Sequence, residues 1–339
     1  MNILVTGCAG FIGFNLCSVL LRNKKNKIYG LDNLNSYYSV KLKKDRLKLL
    51  KKKNFYFFKV NILNKKKLFY IFKKYKIQII VHLAAQAGVR YSLENPEVYV
   101  DTNVKGFFNI LEISKTFKIK SLIYASTSSV YGLNKNLPFK EKNIADHPIQ
   151  FYAATKRANE LMAHAYSYLY KIPTIGLRFF TVYGPWGRPD MALFKFTKNI
   201  LENKNIDLYN YAKHSRDFTY IDDVVNIIIK LIKKPAKGIK NWNKNNPDPS
   251  SSCANFKIYN VSNGSKVSLI QFLKEIEKNL KKKAKINYLP LQKGDIQDTF
   301  SSTKLLNRTI KIKKKISYKK GIKYFVDWYL NYYIKKNIN

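Results

Sequence analysis

The chain has 339 residues, 46% of them hydrophobic, which is enough to bury a large core and excludes an intrinsically disordered protein. Its formal net charge is +42, and 55 of its 63 basic residues are lysines. The lysines are dispersed along the chain, and we interpret short tracts of them as solvated faces: residues 51–53, 65–67, 281–283 and 313–315. We therefore expect no physiological nucleic-acid partner.

No window of eighteen apolar residues occurs, and Met1 is followed almost at once by an apolar strand. This pattern predicts a cytoplasmic protein without a membrane segment. The three cysteines and four histidines are too scattered to predict a disulfide framework or a metal site. We expect Cys8, Cys17 and Cys253 to be small packing residues and His82, at the end of a strand, to be a satisfied core residue.

Strand and helix patterns alternate along the chain. Apolar runs predict strands at residues 2–6, 27–32, 55–61, 78–85, 121–126, 174–180 and 256–261. Helical periodicity appears at residues 11–21, 63–75, 103–117, 151–170, 268–282 and 322–333, with a charged helix ending near residue 53. Residues 233–255, rich in Lys, Asn, Pro and Ser, predict a surface loop. The alternation predicts an α/β fold with a doubly wound parallel sheet, whose ligands bind beyond the carboxyl ends of the strands.

Three glycines at three-residue spacing, Gly7, Gly10 and Gly13, separate the first strand from the first helix. A tight turn, the approach of backbone N–H groups to an anion, and close packing of helix on strand each favour a residue without a Cβ atom. The second strand ends in Asp32, whose carboxylate can accept hydrogen bonds from ribose hydroxyls and would repel a 2′-phosphate. This context predicts a site for NAD rather than NADP, with plain packing of the first helix as the alternative.

Tyr152 and Lys156 stand four residues apart at the start of a predicted helix, and so on one face of it. Thr127 directly follows the predicted strand at residues 121–126. A phenol is a poor base at neutral pH, but a neighbouring ammonium group and a positively charged nicotinamide both favour the phenolate. These residues predict proton transfer coupled to hydride transfer between an alcohol and NAD. Because a Tyr and a Lys four residues apart are common in a chain rich in both, ordinary packing of Tyr152 is the alternative.

With these residues in place, the chain resembles the extended short-chain dehydrogenase/reductase family of nucleotide-sugar enzymes over essentially its whole length. Four stretches are most similar to UDP-glucuronate 4-epimerases: DNLNSYY at 32–38, HLAAQAGVRYS at 82–92, RFFTVYGPWGRPDMA at 178–192 and RDFTYIDD at 216–223. The resemblance implies a Rossmann-type NAD-binding domain in residues 1–182, to which residues 219–262 return. It also implies a smaller C-terminal α/β substrate lobe in residues 183–218 and 263–339, and a homodimer through helices near 103–117 and 151–170.

The resemblance implies the conversion of UDP-glucuronate to UDP-galacturonate through a 4-keto intermediate, for surface polysaccharide precursors. Tyr152, aided by Lys156 and Thr127, would take the proton of the 4-hydroxyl group while NAD takes and later returns the C4 hydride. Another UDP-sugar 4-epimerase, a UDP-glucuronate decarboxylase or a non-catalytic NAD- or RNA-binding relative is the alternative. Related 4,6-dehydratases have an acidic pair where this chain has Ser128 and Ser129, which argues against dehydration.

The resemblance also assigns binding residues. Those expected to contact NAD are Gly7, Gly10, Phe11, Ile12, Gly13, Asp32, Asn33, Asn61, Ile62, Leu83, Ala84, Ala85, Gln86, Asn103, Tyr152 and Lys156. Those expected to contact the UDP-sugar are Arg90, Thr127, Ser128, Ser129, Thr181, Arg188, Arg216 and Asp295, with loop capping as the alternative for the serines. This chain departs from the family at two positions that are usually acidic. They are Asn61, which is expected to contact adenine, and Ser302, which lies beyond the Asp295 loop. We expect no metal.

Overall fold

The structure is a computed structural model that describes residues 1–292, 294–312 and 315–334. Lys313 and Lys314 of the basic tract at 313–315, and the last five residues of the expected substrate lobe, lie outside the described residues. None of the described helices is both long and apolar enough to cross a membrane.

The elements are numbered in chain order. The strands are β1 Asn2–Thr6, β2 Lys27–Asp32, β3 Phe55–Lys59, β4 Ile79–His82, β5 Ser121–Thr127, β6 Thr174–Phe179, β7 Thr181–Tyr183, β8 Asn205–Leu208, β9 Ser215–Arg216, β10 Phe218–Tyr220, β11 Phe256–Val261, β12 Val267–Ser268, β13 Lys285–Tyr288 and β14 Asp298–Thr299. The helices are α1 Phe11–Leu20, α2 Val40–Leu49, α3 Lys65–Tyr75, α4 Tyr91–Glu94, α5 Pro96–Tyr99, α6 Gly106–Thr116, α7 Phe151–Tyr170, α8 Ala192–Leu201, α9 Ile221–Ile232, α10 Leu269–Leu280, α11 Lys304–Thr309 and α12 Tyr318–Tyr329.

Seven strands form one sheet in the order β11-β6-β5-β4-β1-β2-β3, and every neighbouring pair is parallel. The chain builds outward from β1 to β3, then returns to the other side of β1 with β4 and continues to β11. The order therefore switches between β1 and β4, where the register pairs Thr6 with His82. Ligands bind at such a switch point in open α/β sheets. The predicted doubly wound parallel fold is confirmed.

Helices cover both faces of the sheet. Helices α1 and α9 pack together on one face, while α3, α6 and α7 lie on the other. Strand β6 is buried at every position, which explains its almost continuous apolar sequence. Cys8 and Cys17 are buried as predicted, but Cys253 is exposed, so the packing prediction is wrong for that residue.

The remaining strands form small sheets. Strand β13 pairs with β8, and β9 lies between β12 and β14. Helix α10 packs against α8 and α12 beside them. Strand β11, from the segment at 219–262, pairs with β6 in the large sheet. The assignment of residues 183–218 and 263–339 to a separate substrate lobe stays a prediction.

Some element boundaries differ from those predicted. Helix α2 ends at Leu49 rather than near residue 53. A π-helical turn at Val100–Lys105 precedes α6, where the periodicity predicted one regular helix over 103–117. No helix or strand was predicted for residues 192–232, which form α8 and α9 in addition to short strands. The polar residues of α9, Asp222, Asp223, Asn226 and Lys230, stand at helical spacing, so the periodicity of this segment would have indicated an amphipathic helix.

A buried ion pair fixes α7 to the sheet. Arg178 on β6 donates from Nε to Glu160 Oε1 at 2.9 Å and from Nη2 to Oε2 at 2.8 Å, and both side chains are completely buried. Ser126 on β5 donates to the same carboxylate at 2.6 Å, and Arg157 donates to it at 2.9 Å. The pair therefore ties α7 to two neighbouring strands.

We expect Arg178→Met to lower the free energy of unfolding by about 3 kcal/mol, because it leaves the buried Glu160 carboxylate without its main partner. Urea denaturation followed by circular dichroism measures this loss. Lys198→Met is the control, since Lys198 forms an exposed pair with Glu202 that contributes less than about 0.5 kcal/mol. A loss for Arg178→Met no larger than that for Lys198→Met would contradict the role of the buried pair.

Candidate active site

The glycine loop forms a cradle between β1 and α1. Gly7 has a φ of +70°, and a Cβ atom there would lie 2.8 Å from the backbone nitrogen of Ala84. A Cβ atom on Gly13 would lie 2.1 Å from the carbonyl oxygen of Gly7. Gly10 is the N-cap of α1, no side chain caps this end, and the first turn contains no acidic residue. Packing explains Gly13, but the uncapped helix end fits the pyrophosphate of a dinucleotide.

Asp32 lies at the carboxyl end of β2 and is buried. Its carboxylate accepts hydrogen bonds from Leu34 N at 2.8 Å and Ala9 N at 3.1 Å. Burial raises the pKa of Asp32, while these hydrogen bonds and the charges of Lys43 and Arg46 oppose the increase. A carboxylate oxygen has several lone pairs, so both oxygens can still accept hydrogen bonds from ribose hydroxyls. The sequence did not predict that Lys43 and Arg46 lie near this carboxylate, because they belong to a lysine-rich helix and such a composition is typical of a surface exposed to solvent.

The loops that follow β3 and β4 complete the expected cofactor site. Asn61 is exposed, and its Oδ1 accepts a hydrogen bond from Leu63 N at 3.0 Å. The amide of Asn103 is engaged with Gln86: Gln86 N donates to Asn103 Oδ1 at 2.8 Å, and Asn103 Nδ2 donates to Gln86 O at 3.0 Å. Asn103 therefore fixes the loop after β4. The other expected contacts divide into the buried Phe11 and Ile62, the partly exposed Ile12, Leu83, Ala84 and Ala85, and the exposed Asn33.

Tyr152 lies in the first turn of α7, half-buried, and interacts with Thr127 at the end of β5. Burial raises the pKa of Tyr152, while the charge of Arg188 and the Thr127 hydroxyl lower it. The sequence analysis assigned this lowering to Lys156 and the nicotinamide. Among the charges of the chain, that of Arg188 lowers the pKa of Tyr152, and the contribution expected from Lys156 stays a prediction.

Lys156 is held by an amide rather than by a carboxylate. Its Nζ donates to Asn159 Oδ1 at 2.8 Å, and Asn159 Nδ2 donates to the main-chain oxygen of Asn103 at 2.6 Å. Burial lowers the pKa of Lys156 to about 7, and Glu160 opposes this decrease. The accepting carbonyl lies in the π-helical turn at Val100–Lys105, and such turns often occur at functional sites. Asn159 was not predicted, although its position three residues after Lys156 places both on one face of α7.

His82 is a core residue, as predicted. Its ring is buried, and Nδ1 lies 2.8 Å from the Thr6 hydroxyl oxygen, which also accepts a hydrogen bond from Ala84 N at 3.1 Å. Burial lowers the pKa of His82 to about 3, and the charge of Lys156 lowers it further. The imidazole is therefore neutral at physiological pH and supports the loop after β4.

Four hydroxyl groups lie at the carboxyl ends of β5 and β6. Thr127 Oγ1 accepts a hydrogen bond from Ser129 N at 3.2 Å and donates to Ser129 Oγ at 3.3 Å, so this pair caps the loop. Ser128 and Thr181 are partly exposed, and their hydroxyls have no hydrogen-bond partner within the described ranges. Those two groups are therefore available to a ligand.

Arg188 follows β7 and forms a network with neighbouring polar residues. Its Nε donates to Asp190 Oδ1 at 3.0 Å, and Nη2 donates to Oδ2 of the same carboxylate. The hydroxyl of Tyr37, in the loop after β2, donates to Asp190 Oδ2 at 3.3 Å. Nη1 of Arg188 takes part in none of these bonds. This nitrogen is therefore the donor that could reach a ligand.

The remaining expected substrate residues lie close to one another. Arg216 donates from Nη1 to Gln297 O at 2.8 Å; burial lowers its pKa, and Asp295 and Asp298 oppose this decrease. Arg90 is exposed and forms a 3.4 Å ion pair with Asp295. The guanidinium of Arg90 also lies 4.7 Å from the centroid of the Tyr209 ring.

Two further features bear on the sequence analysis. Ser302 Oγ accepts a hydrogen bond from Lys304 N at 3.3 Å, so this serine supports the start of α11 without an acidic group. The lysines at 51–53 are exposed, as the interpretation of a solvated face predicts, and they border a groove of about 690 Å³ together with Phe55 and Phe57. The absence of a nucleic-acid partner stays a prediction. Within the described ranges, no cluster of His, Cys, Asp or Glu could hold a metal ion.

We expect Asn61→Asp to tighten NAD binding by about 1 kcal/mol, roughly a five-fold decrease in Kd, because the carboxylate offers the adenine amino group a charged acceptor. Titration calorimetry on the cofactor-depleted protein measures the change. Asn64→Asp adds the same charge at the N-cap of α3 and serves as the control, since Asn64 only caps that helix. Equal effects of both substitutions would show that general charge, and not the adenine contact, is responsible.

Known proteins share this fold and these motifs. CapI of Staphylococcus aureus is 53% identical over 335 residues, which is 99% of this chain and 100% of CapI. UDP-glucuronate 4-epimerase 4 of Arabidopsis thaliana is 41% identical over 338 residues, covering 98% of this chain and 76% of that protein. The crystal structure of UDP-glucuronic acid 4-epimerase from Bacillus cereus, in complex with UDP-glucuronic acid and NAD, matches 98% of this chain and 100% of that chain with a TM-score of 0.87 and 30% identity.

The sequence profile of one family matches most of the chain. The match runs over residues 3–245 and so includes the glycine loop, Thr127, Tyr152 and Lys156. The family is described as NAD dependent, and solved neighbours contain NAD, in agreement with the uncapped glycine cradle and Asp32. The chain is a member of the NAD dependent epimerase/dehydratase family.

Proposed function

We propose that the chain is a UDP-glucuronate 4-epimerase, which interconverts UDP-glucuronate and UDP-galacturonate through a 4-keto intermediate. The observation that carries the proposal is the set of hydroxyls at the carboxyl ends of β5 and β6, one of which, Thr127, interacts with Tyr152. Ser128 and Thr181 are unpaired at the carboxyl ends of neighbouring strands, and serines occupy the positions where related dehydratases have acids. Similarity to named UDP-glucuronate 4-epimerases over nearly the whole chain supports the same substrate.

The proton of the sugar 4-hydroxyl group passes to the phenolate of Tyr152, which becomes the neutral phenol. Tyr152 accepts the proton of the 4-hydroxyl group, and the Thr127 hydroxyl hydrogen-bonds to the same oxygen. NAD, when bound, would accept the hydride from C4 of the sugar and later return it to C4. The charge of Arg188 favours the ionised form of Tyr152, and the Lys156 ammonium would add to this effect in the proposed mechanism. After the keto sugar has rotated, Tyr152 returns the proton to the same oxygen, and the inverted alcohol leaves.

The hydroxyl groups also explain why the keto intermediate would keep its carboxylate. A 4-keto hexuronate is a β-keto acid, and it loses CO₂ when the carboxylate lies orthogonal to the carbonyl group. Hydrogen bonds from Ser128 and Thr181 to the carboxylate would hold it away from that orientation. Arg188 and Arg216 suit the charged groups of the nucleotide, because a guanidinium presents several donors in a fixed plane.

Incubation of the purified protein with UDP-glucuronate tests the proposal. We expect UDP-galacturonate, resolved by ion-exchange chromatography, to form without release of CO₂. A UDP-pentose with equimolar CO₂ would identify a decarboxylase. Turnover of UDP-glucose or UDP-N-acetylglucosamine alone would identify a different UDP-sugar epimerase, and no turnover of any of them would favour a non-catalytic relative.

We expect Tyr152→Phe to reduce turnover by at least about a hundredfold, because the acid–base group is lost while the ring is retained. The NAD content of the purified variant, measured after acid release, should equal that of the wild type. Tyr166→Phe is the matched control, since Tyr166 lies on the same helix and donates to Glu112 at 2.7 Å. Loss of NAD from Tyr152→Phe would point to a structural role for the phenol.

The amide of Asn159 gives the reaction a testable pH dependence. Lys156 is charged below its pKa, so its support of the phenolate is lost as the pH rises through that value. Asn159→Ala removes an acceptor of the charged form, which lowers the pKa of Lys156 further. We expect the basic limb of the pH–rate profile to move to lower pH. Asn159→Asp adds a negative charge and should move the same limb to higher pH.

The charged or titratable groups that interact with Lys156 are Glu160 on the same helix and His82 on β4, which is neutral, and the proposed mechanism adds the phenol of Tyr152. None of them is altered by these two substitutions. Asn279→Asp, which adds the same charge to α10, is the control and should leave the limb in place. Movement of the limb in one direction for both Asn159 variants would contradict the assigned role of the amide.

Homodimerisation through α6 and α7 belongs to the same proposal. Both helices expose large apolar side chains, among them Phe108, Leu161 and Leu169. Exposed apolar patches of this kind commonly mark protein contacts. Light scattering should then give twice the chain mass of 39.6 kDa. The cytoplasmic location and the role in polysaccharide synthesis stay predictions.

A further inference from the structure

Arg46 is a completely buried arginine on α2, a helix with many charged residues. This helix carries four lysines in its ten residues, and only Leu42, Lys43 and Arg46 of it are buried. Arg46 nevertheless has no exposed surface and is among the largest fully buried side chains of the protein. Burial of a guanidinium is unfavourable unless its donors are satisfied. The position of this side chain therefore needs a physical explanation.

The guanidinium of Arg46 connects two loops that are far apart in the sequence. Nη1 donates to the carbonyl oxygen of Ala9, within the glycine loop, at 2.8 Å. Nη2 donates to the carbonyl oxygens of Trp186 at 2.6 Å and Gly187 at 3.2 Å. Nη1 also donates to the Tyr38 hydroxyl at 2.9 Å. One side chain thus binds the main chain of the expected cofactor loop and of the loop that precedes Arg188.

The loop at Trp186 needs such support. Trp186 has a φ of +62°, a conformation that is unfavourable for a residue with a Cβ atom. Its ring packs against Phe14 of α1 at a centroid distance of 5.4 Å and against Trp328 of α12 at 5.3 Å. Aromatic packing therefore holds the ring of Trp186, and the Arg46 guanidinium holds its carbonyl group. Arg188 follows two residues later and faces the phenol of Tyr152.

The bonding pattern suits arginine and not lysine. A guanidinium presents donors at two ends of a rigid plane, whereas an ammonium is a single point of attachment. Lys43, one turn earlier on α2, illustrates the difference, because its Nζ donates hydrogen bonds to the oxygens of one residue, Asn35, and lies over the Tyr38 ring. The hydrogen-bond acceptors of Arg46 are all neutral, and its Nε has no partner within the described residues. Its charge also lies near the Asp32 carboxylate, but a buried charge is weak evidence for added stability, which favours a role in positioning.

We infer that Arg46 is a positioning residue that fixes the Arg188 loop relative to the glycine loop. It thereby keeps the UDP-sugar and the cofactor at a fixed distance from each other. This inference rests on the proposed function. Arg46 acts through the main chain of Ala9 and Trp186, and its effect on the substrate passes through Arg188. A shift of about 1 Å between reacting groups can reduce a rate on the order of a hundredfold, so the spacing of the two loops matters.

The test compares Arg46→Met, Arg188→Met and the double variant in their binding of UDP-glucuronate, measured by titration calorimetry on the NAD-loaded protein. We expect each single substitution to raise Kd by roughly tenfold or more. If Arg46 acts through Arg188, the double variant should bind about as weakly as Arg188→Met alone, because coupled residues are not additive. Lys48→Met, at an exposed position of the same helix, is the control and should bind like the wild type.

Two further measurements separate positioning from simple stabilisation. Arg46→Lys should recover part of the affinity, and guanidinium ions at millimolar concentration should tighten binding by Arg46→Ala but not by Lys48→Ala. The rate of NAD release, which does not depend on the identity of the sugar, should increase in Arg46→Met and remain at the wild-type value in Arg188→Met. This second readout keeps the inference testable if UDP-glucuronate is not the substrate.

Several outcomes would overturn the inference. Additive effects on Kd in the double variant would show that Arg46 does not act through Arg188. A lower melting temperature with unchanged Kd and unchanged NAD release would show that Arg46 only stabilises the fold. If the wild type fails to bind UDP-glucuronate while NAD release from Arg46→Met increases, the proposed substrate is wrong but the connection to the glycine loop stands.

Discussion

The buried ion pair between Arg178 and Glu160 is the interaction on which the arrangement of the site depends. It joins β6 to α7 where water has no access, and the Ser126 hydroxyl on β5 completes the carboxylate's hydrogen bonds. Because removal of one partner leaves the other charged and buried, the pair permits little sliding of α7 over the sheet. Tyr152 and Lys156 lie on the same helix, one to two turns nearer its N-terminus. Their distance from the strand ends is thus set by a contact that touches no ligand.

The interior of the protein contains several cations with different kinds of partner. Arg178 is neutralised by a carboxylate, whereas Lys156 is held by an amide and Arg46 by carbonyl oxygens. Lys43 similarly binds the oxygens of Asn35. The region around the expected ligands therefore keeps an excess of positive charge. Such an excess favours the anionic dinucleotide and the UDP-sugar of the proposed reaction, and it is independent of the dispersed surface lysines.

The parts of this structure that depend on local sequence were predicted well. Strands β1, β2 and β11 and helix α7 have the predicted bounds, since each combines a strong apolar pattern with a clear start or end signal. Thr127 at the end of β5 meets Tyr152 in the first turn of α7, in agreement with the expected pair, and the joint role of these residues with Lys156 stays a prediction. The hydroxyl cluster was expected from resemblance, and the structure distinguishes the paired Thr127 and Ser129 from the available Ser128 and Thr181.

Contacts between distant segments could not be predicted. Arg46 reaches a loop 140 residues away, and nothing in its neighbourhood on α2 indicates that it is buried. Asn159 is useful only because a π-helical turn presents the carbonyl of Asn103, and such a turn has no periodicity of its own. The contribution of Arg188 to the pKa of Tyr152 was missed for the same reason. Arg188 reaches the phenol only through the three-dimensional course of the loop after β7.

The amide that holds Lys156 has a consequence for proton transfer at the site. From the ammonium group, the hydrogen bonds pass through Asn159 to the main-chain oxygen of Asn103, and neither amide changes its protonation at physiological pH. Along this route the two amides thus offer no titrating group that could carry a proton away from Lys156. A dehydrogenase that releases its product must discharge one proton for every turnover. In the proposed epimerisation, the proton returns to the oxygen from which it came, so a site closed at this end suits a reaction whose proton balance is internal.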